Sequence, residues 1–157
     1  MEIIIRDARE SDMKAVLGLI IELAEYEKEP EAVINSEANL IQDAFGEDRL
    51  IHCTVAEFKG KVIGFFITYV SYSTWNGRCL YLEDLYVQEA YRRHGVGKML
   101  FDELLCHAKE MGAKRLDWQV LDWNEPAINF YKKYDADLDG EWLNGKFTRE
   151  ALKGMNV

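Results

Sequence analysis

The sequence predicts a mixed α/β (α+β) fold, a mostly antiparallel central sheet flanked by helices, in a single domain over residues 1–157. Three observations predict it. Apolar residues recur at helical spacing near both ends of the chain. β-Branched and aromatic runs fill the middle, punctuated by short glycine turns. The length is one domain's worth and enough to bury a real core.

The elements follow in order. Residues 3–5 are a short isoleucine run, read as a strand. Ser11 or Asp12 can cap the next helix, in which Val16, Leu19, Ile20, Leu23 and Ala24 share a face. That helix ends between Tyr26 and Pro30. Residues 36–45 read as a second, shorter helix with Gly46 behind it. Residues 51–58 and 62–72 read as strands joined by a hairpin turn at Lys59-Gly60-Lys61. Another strand over 78–87 follows a turn at Asn76-Gly77. Residues 95–111 form the clearest helix: Val96, Leu100, Leu104, Ala108 and Met111 line one side, and Gly112 suits the C′ position. Residues 115–120 alternate as a strand. Residues 124–134 read as a helix with Pro126 in its first turn, where a missing N–H does no harm. The tail over 138–148 reads as two strands around Asn144-Gly145.

Charge and composition exclude several functions. Nineteen basic against 28 acidic side chains leave a net charge of −9. Such an excess argues against a nucleic-acid partner and against docking on an anionic membrane. It suits a small cationic ligand, because a negative field concentrates cations. Cys53, Cys79 and Cys106 are few and scattered, without the spacing of a disulfide framework or a zinc site. His52, His94 and His107 have no ligand spacing with them, so no metal is expected. The charged N-terminus lacks the pattern of a signal peptide, and no apolar run approaches the ~20 residues of a membrane helix. A protein of the cytoplasm is the expectation.

The most specific segment is Tyr91-Arg92-Arg93-His94-Gly95-Val96-Gly97-Lys98, between an expected strand and the strongest expected helix. A helix N-terminus carries open N–H groups and a partial positive charge. Glycines let the backbone approach a ligand, and Arg92, Arg93 and Lys98 add three cations without a nearby acid. A pyrophosphate is the natural anion. The segment fits neither a P-loop, since Met99 follows Lys98, nor a dinucleotide fingerprint, since position 100 is leucine.

What stands is Arg-x-x-Gly-x-Gly, which resembles the acetyl-CoA signature of the GNAT acetyltransferase superfamily. The order of elements is similar to that fold over nearly the whole chain. Tyr26-Glu27, the segments from Ser73 to Gly77 and from Tyr81 to Val87, Asp122-Trp123-Asn124-Glu125-Pro126, Asn129-Phe130-Tyr131 and Trp142 resemble the diamine N-acetyltransferases, which include the spermidine/spermine and thialysine enzymes. The resemblance implies acetyl-CoA as co-substrate. It places Leu85, Tyr86 and Val87 along the pantetheine arm. It places Arg92, Arg93, His94, Gly95, Val96, Gly97 and Lys98 at the pyrophosphate. It adds Asn124, Glu125, Pro126 and Ala127 as cofactor contacts. Tyr131 takes the place of the general acid and Glu83 that of the carboxylate that deprotonates the amine. Tyr26, Glu27, Ser73, Trp75 and Asp84 fall around the acceptor. Glu83 and Asp84, as strand neighbours, are expected on opposite faces.

Ser73 stands where polyamine-selective members carry an aspartate, and Ser73-Thr74-Trp75 resembles the thialysine branch. The expected acceptor is therefore a thialysine-like amino acid or a short diamine, acetylated directly in a ternary complex by a homodimer. Asp135 replaces a common glycine, and Glu141 is only a possible substrate contact. Another amine (a protein N-terminus, an antibiotic, a polyamine) or a silent acyl-CoA-binding module is left open.

Overall fold

The computed structural model describes all of residues 1–157. It divides into two compact units, Met1–Gln119 and Val120–Val157. The first holds a five-stranded sheet in the order β1-β2-β3-β4-β5. Its strands are β1 (Ile4–Asp7), β2 (His52–Phe58), β3 (Lys61–Ser73), β4 (Gly77–Val87) and β5 (Leu116–Asp117), with helices α1 (Met13–Tyr26), α2 (Glu37–Phe45) and α3 (Val96–Glu110). All pairings are antiparallel except β4 with β5. The mixed, mostly antiparallel sheet expected from the sequence is present.

Local rules explain most of these elements. Ser36 caps α2 by accepting the Asn39 N–H at 3.1 Å. Lys59 and Gly60 both have positive φ (49° and 77°), the backbone of a tight hairpin turn. Asp12 departs from the expected capping role. Its carboxylate accepts the Arg9 backbone N–H at 2.7 Å and two bonds from the Arg6 guanidinium, at 2.7 and 3.1 Å. Arg6 also reaches Glu57 at 2.7 Å. A bidentate guanidinium from β1 outcompetes the helix's own N–H groups and anchors the entry of α1 to the sheet.

Two layers of helix cover the sheet. On one face, Val16 and Leu19 of α1 and Leu40 of α2 cluster with Val55, Phe65, Ile67 and Tyr86. On the other, α3 packs on β3 and β4 through Leu100, Phe101 and Leu104, all fully or almost fully buried. Each such side chain contributes about 1.5–3 kcal/mol of burial.

β5 is shorter than the expected 115–120. It pairs with β4 only at Leu80↔Leu116 and Tyr81↔Asp117. Just beyond, the ladder between β3 and β4 slips: Ile67 faces Asp84 and Thr68 faces Leu82, leaving Glu83 without a partner. This β-bulge bends β4, and parallel pairing with β5 stops before it. From Leu82 to Val87, β4 has a strand neighbour on one side only.

The second unit contains α4 (Glu125–Lys132) and α5 (Arg149–Lys153). Asn124 caps α4 by accepting the Ala127 N–H at 3.3 Å, with Pro126 in the first turn. The two expected tail strands are absent, and residues 136–148 are irregular. An isolated hairpin is marginal in water. Trp142, Leu143 and Phe147 are all exposed. Asp139 also draws the Glu141 N–H into a local turn at 2.9 Å, which competes with strand pairing.

Candidate active site

The bulge decides where the acidic groups point. Phe66 and Thr68 of β3 lie on one face, and their partners Leu85 and Leu82 lie with them. Alternation from Leu82 carries Glu83 to the opposite face, and the pairing of Asp84 with Ile67 places Asp84 there too. The expectation of opposite faces is thus corrected: the extra residue turns both carboxylates to the side of α1. Burial, followed by the charges of Glu83 and Glu27, lifts the Asp84 carboxyl from 3.8 to about 7. Burial also raises Glu27, just beyond the end of α1. Tyr69, which sequence reasoning missed, donates to Glu83; burial and then the Glu83 charge push its phenol up. Its ring stacks on Tyr81 at 5.0 Å. Three carboxylates, one titrating near neutrality, therefore share a small region.

A few residues on, the chain builds the opposite charge. Arg93 and Gly95 have positive φ, 65° and 78°. Alternating left-handed residues curl successive N–H groups into a concave anion-binding nest. Gly95 precedes α3, with no side-chain cap and no acid in the first turn of the helix. A Cβ at Gly97 would meet only Val87 Cγ2, at 3.9 Å, so packing inside the protein does not demand glycine there. His94 is exposed. Lys98 pairs along the helix with Asp102.

Arg92 differs from its neighbours. Its Nε donates to the Val87 carbonyl at 2.9 Å, and its guanidinium lies 5.2 Å from the ring centres of both Tyr26 and Tyr86. Glu22 of α1, also missed from sequence, accepts from the Tyr86 hydroxyl at 3.3 Å and from Gln88 at 3.0 Å. Arg92 is thus turned inward and ties the loop to α1. Ser73 is likewise occupied locally: its Oγ accepts the backbone N–H groups of Trp75 and Asn76, at 3.3 and 3.1 Å, and shapes the hairpin tip. Trp75 at that tip is exposed.

In the second unit, Tyr131 is buried on α4, with Phe130 edge-on at 5.5 Å. Asn124, Glu125, Pro126 and Ala127 form the start of that helix. No helix is long and apolar enough to cross a membrane.

Residues 14–135 match the model of the acetyltransferase (GNAT) family. The chain belongs to the GNAT acetyltransferase family. It is 40% identical to thialysine N-epsilon-acetyltransferase of Bos taurus, with 98% of this chain and 96% of that protein covered. It is 36% identical to spermidine/spermine N(1)-acetyltransferase-like protein 1 of Homo sapiens, over 96% of this chain and 23% of that protein. Among solved structures, an integron cassette protein from the mobile metagenome of V. cholerae superposes with a TM-score of 0.78 at 26% identity, covering 98% and 96% of the two chains. These relatives place this GNAT protein with the spermidine/spermine and thialysine acetyltransferases and make it an N-acetyltransferase.

Proposed function

We propose that the protein transfers the acetyl group of acetyl-CoA to the primary amine of a small cationic metabolite, a thialysine-like amino acid or a short diamine, by direct attack in a ternary complex. The bulge that turns Glu83 and Asp84 to one face, beside Glu27, carries this reading. Such a pocket attracts an ammonium group and holds a carboxylate able to take its proton at neutral pH.

The loop fits the other substrate. Open N–H groups at Arg93, His94, Gly95, Val96, Gly97 and Lys98 suit a pyrophosphate. The bare Cα of Gly97 leaves room for close approach. The free edge of β4 at Leu85, Tyr86 and Val87 suits an extended pantetheine arm, which adds like a strand. Asn124, Glu125, Pro126 and Ala127 complete the proposed cofactor contacts.

Acetyl-CoA supplies an activated acetyl group as a thioester. The carboxylates Glu83 and Asp84 take a proton from the bound ammonium and free its lone pair to attack the carbonyl carbon. A backbone N–H near Leu85 faces the oxygen on which charge builds. Tyr131 gives a proton to the sulfur as the carbon–sulfur bond breaks. An amide and a free thiol result, and one proton is released. Tyr26, Trp75 and Ser73 belong to the acceptor side, with Ser73 acting through the tip it shapes. A homodimer working in the cytoplasm completes the proposal.

Thiol release from acetyl-CoA, measured across thialysine, lysine, short diamines, spermidine and a blank, tests it. Acceptor-dependent thiol from the amino acids or short diamines is expected. No acceptor-dependent release with any amine would overturn the reading.

A further inference from the structure

A cavity of about 440 Å³ lies where β2 begins. β2 pairs with β3 only as far as Thr68, whereas β3 runs on to Ser73. The edge of β3 beyond Thr68 therefore has no strand beside it, and the cavity sits in that corner of the sheet. Much of its wall is apolar, with Phe45, Leu50, Ile51, Val70 and Leu80 lining it. The polar groups are few and gathered: Arg49, which precedes β2, His52, Thr68 and His107 of α3, with Asp7 beside them. An apolar body with a few converging polar groups is the composition of a small-molecule site.

These polar groups lie apart from the acceptor side. Thr68 pairs with His52 and with Leu82, and His107 stacks on His52 with ring centres 4.9 Å apart. They belong to the face that α3 covers, whereas Glu83 and Asp84 turn towards α1. Two of them lack what the protein itself could supply. Thr68 has no solvent exposure, and its Oγ1 has no hydrogen-bond partner. A buried polar atom of that kind marks a place for a polar ligand atom. His52 has its Nε2 engaged by Asp7 at 3.2 Å and by Thr54 at 3.3 Å. A neutral ring that keeps its proton on Nε2 for Asp7 offers only a lone pair at Nδ1, whereas a protonated ring donates from both nitrogens. Asp7 from β1, Arg49 from the segment before β2 and His107 from α3 are the charged or titratable groups that face His52. Burial lowers the His52 pKa, Arg49 and His107 add to that, and Asp7 opposes it. An anion at this point reverses the balance and favours the protonated ring.

We propose that this cavity is a second ligand site, distinct from those of both acetyl-transfer substrates, and that it takes a small carboxylate with an apolar body. The Arg49 guanidinium pairs with the carboxylate, the Thr68 hydroxyl and the protonated His52 donate to it, and the apolar wall covers the rest of the molecule. A singly charged head suits the site better than a phosphate, because Asp7 beside His52 repels a second negative charge. Binding draws a proton onto His52, so the affinity falls as the pH rises through the titration of that ring.

Benzoate is the probe, because it joins an ionised carboxylate to an apolar ring. The experiment titrates it into the full chain at pH 5.5 and pH 7.5, followed by calorimetry and by the NMR signals of the His52 and His107 rings. Saturable binding is expected, about fivefold tighter at the lower pH, with both ring signals shifting and the His52 titration displaced upward. Benzyl alcohol has the same body without the charge, and inorganic phosphate has charge without the body. Each should bind about tenfold more weakly or worse. Arg49→Gln, at an exposed position, should weaken benzoate about tenfold, and Thr68→Val about threefold, with melting temperatures held. Saturating acetyl-CoA should leave the benzoate affinity unchanged. The site would be overturned by histidine signals that show no saturable shift, by benzyl alcohol or phosphate binding as tightly as benzoate, by full affinity in Arg49→Gln, or by displacement of benzoate with acetyl-CoA. None of these outcomes touches the acetyltransferase reading, which thiol release tests separately.

Discussion

The carboxylates at Glu83 and Asp84 and the cationic loop from Arg92 to Lys98 lie within sixteen residues of one another but are built on different principles. Arg93, His94, Gly95 and Lys98 of the loop are exposed. The loop's anion-binding groups are backbone N–H donors at a helix start, and solvent carries most of the cost of its charges. The bulge brings like charges together, and burial followed by the charges of Glu83 and Glu27 lifts the Asp84 carboxyl to about 7, at the expense of folding stability. The comparison teaches a division of labour. Binding a polyanion needs only well-aimed dipoles, whereas moving a proton needs a group whose ordinary pKa has been spoiled. Variants in the loop should therefore change affinity for the acetyl donor, and variants in the bulge should change turnover and its pH dependence.

The largest expected effect leaves both regions intact. Tyr131→Phe removes the proposed proton donor to sulfur and should lower kcat by about 10²-fold or more, with acetyl-CoA binding retained. Normal kcat in the Phe variant, measured under saturating substrates, would take Tyr131 out of the chemistry.

Asp84→Asn comes next and has two readouts. It should lower kcat about 10²-fold at pH 7. It should also stabilise the fold. The folded-state carboxyl sits at about 7, above its ordinary 3.8, so its contribution is full below pH 4 and lost as pH rises through 7. Asparagine escapes that loss, worth on the order of 2 kcal/mol at pH 8 after allowance for partial exposure. Urea melts at pH 5 and pH 8 test this; an advantage that fails to grow with pH would show that Asp84 ionises freely. Glu83→Gln removes a charge that raises Asp84, so the rising limb of the pH–rate profile should move to lower pH. An unmoved limb would place the base elsewhere.

The loop and the bulge were also unequally legible in the sequence. The loop is spelled in residue types: glycines, cations, then an amphipathic helix. Lys59-Gly60-Lys61 as a turn was readable for the same reason, since it is a local preference. The bulge is a matter of register. Its trace is a break in phase: Leu80 and Leu82 are two apart, Leu85 and Val87 are two apart, but Leu82 and Leu85, on the same face, are three apart. Strict alternation hid this and sent Glu83 and Asp84 to opposite faces. Asp12 was misread because its partner, Arg6, arrives from a neighbouring strand. The strand pattern over 138–148 failed because alternation alone does not supply a sheet for Trp142, Leu143 and Phe147 to cover.

Smaller effects belong to the loop. Gly97→Ala adds one methyl, which the fold accommodates at 3.9 Å from Val87. Thermal stability should hold, while the methyl intrudes on the path of the pyrophosphate. The KM for acetyl-CoA should rise about tenfold, with the acceptor KM and kcat near normal. Unchanged acetyl-CoA affinity would mean that the anion does not lie against this turn, and the contrast with the bulge would lose its binding half.

Arg92 provides the finest division, because it belongs to the loop by sequence and to the scaffold by contact. Its two aromatic contacts are worth about 0.5–1 kcal/mol each and its bond to Val87 about as much again. Arg92→Gln should then lower the melting temperature by roughly 5 °C and raise the acetyl-CoA KM only about threefold, a change passed through the placement of the loop. The acceptor KM should move with it, because Tyr26 loses the guanidinium that holds it. Arg93→Gln, by contrast, should leave the melting temperature alone and weaken acetyl-CoA binding in a salt-dependent way. Were Arg92→Gln to behave like Arg93→Gln, with full stability and a salt-sensitive loss confined to acetyl-CoA, Arg92 would be an anion contact and not the tie between α1 and the loop.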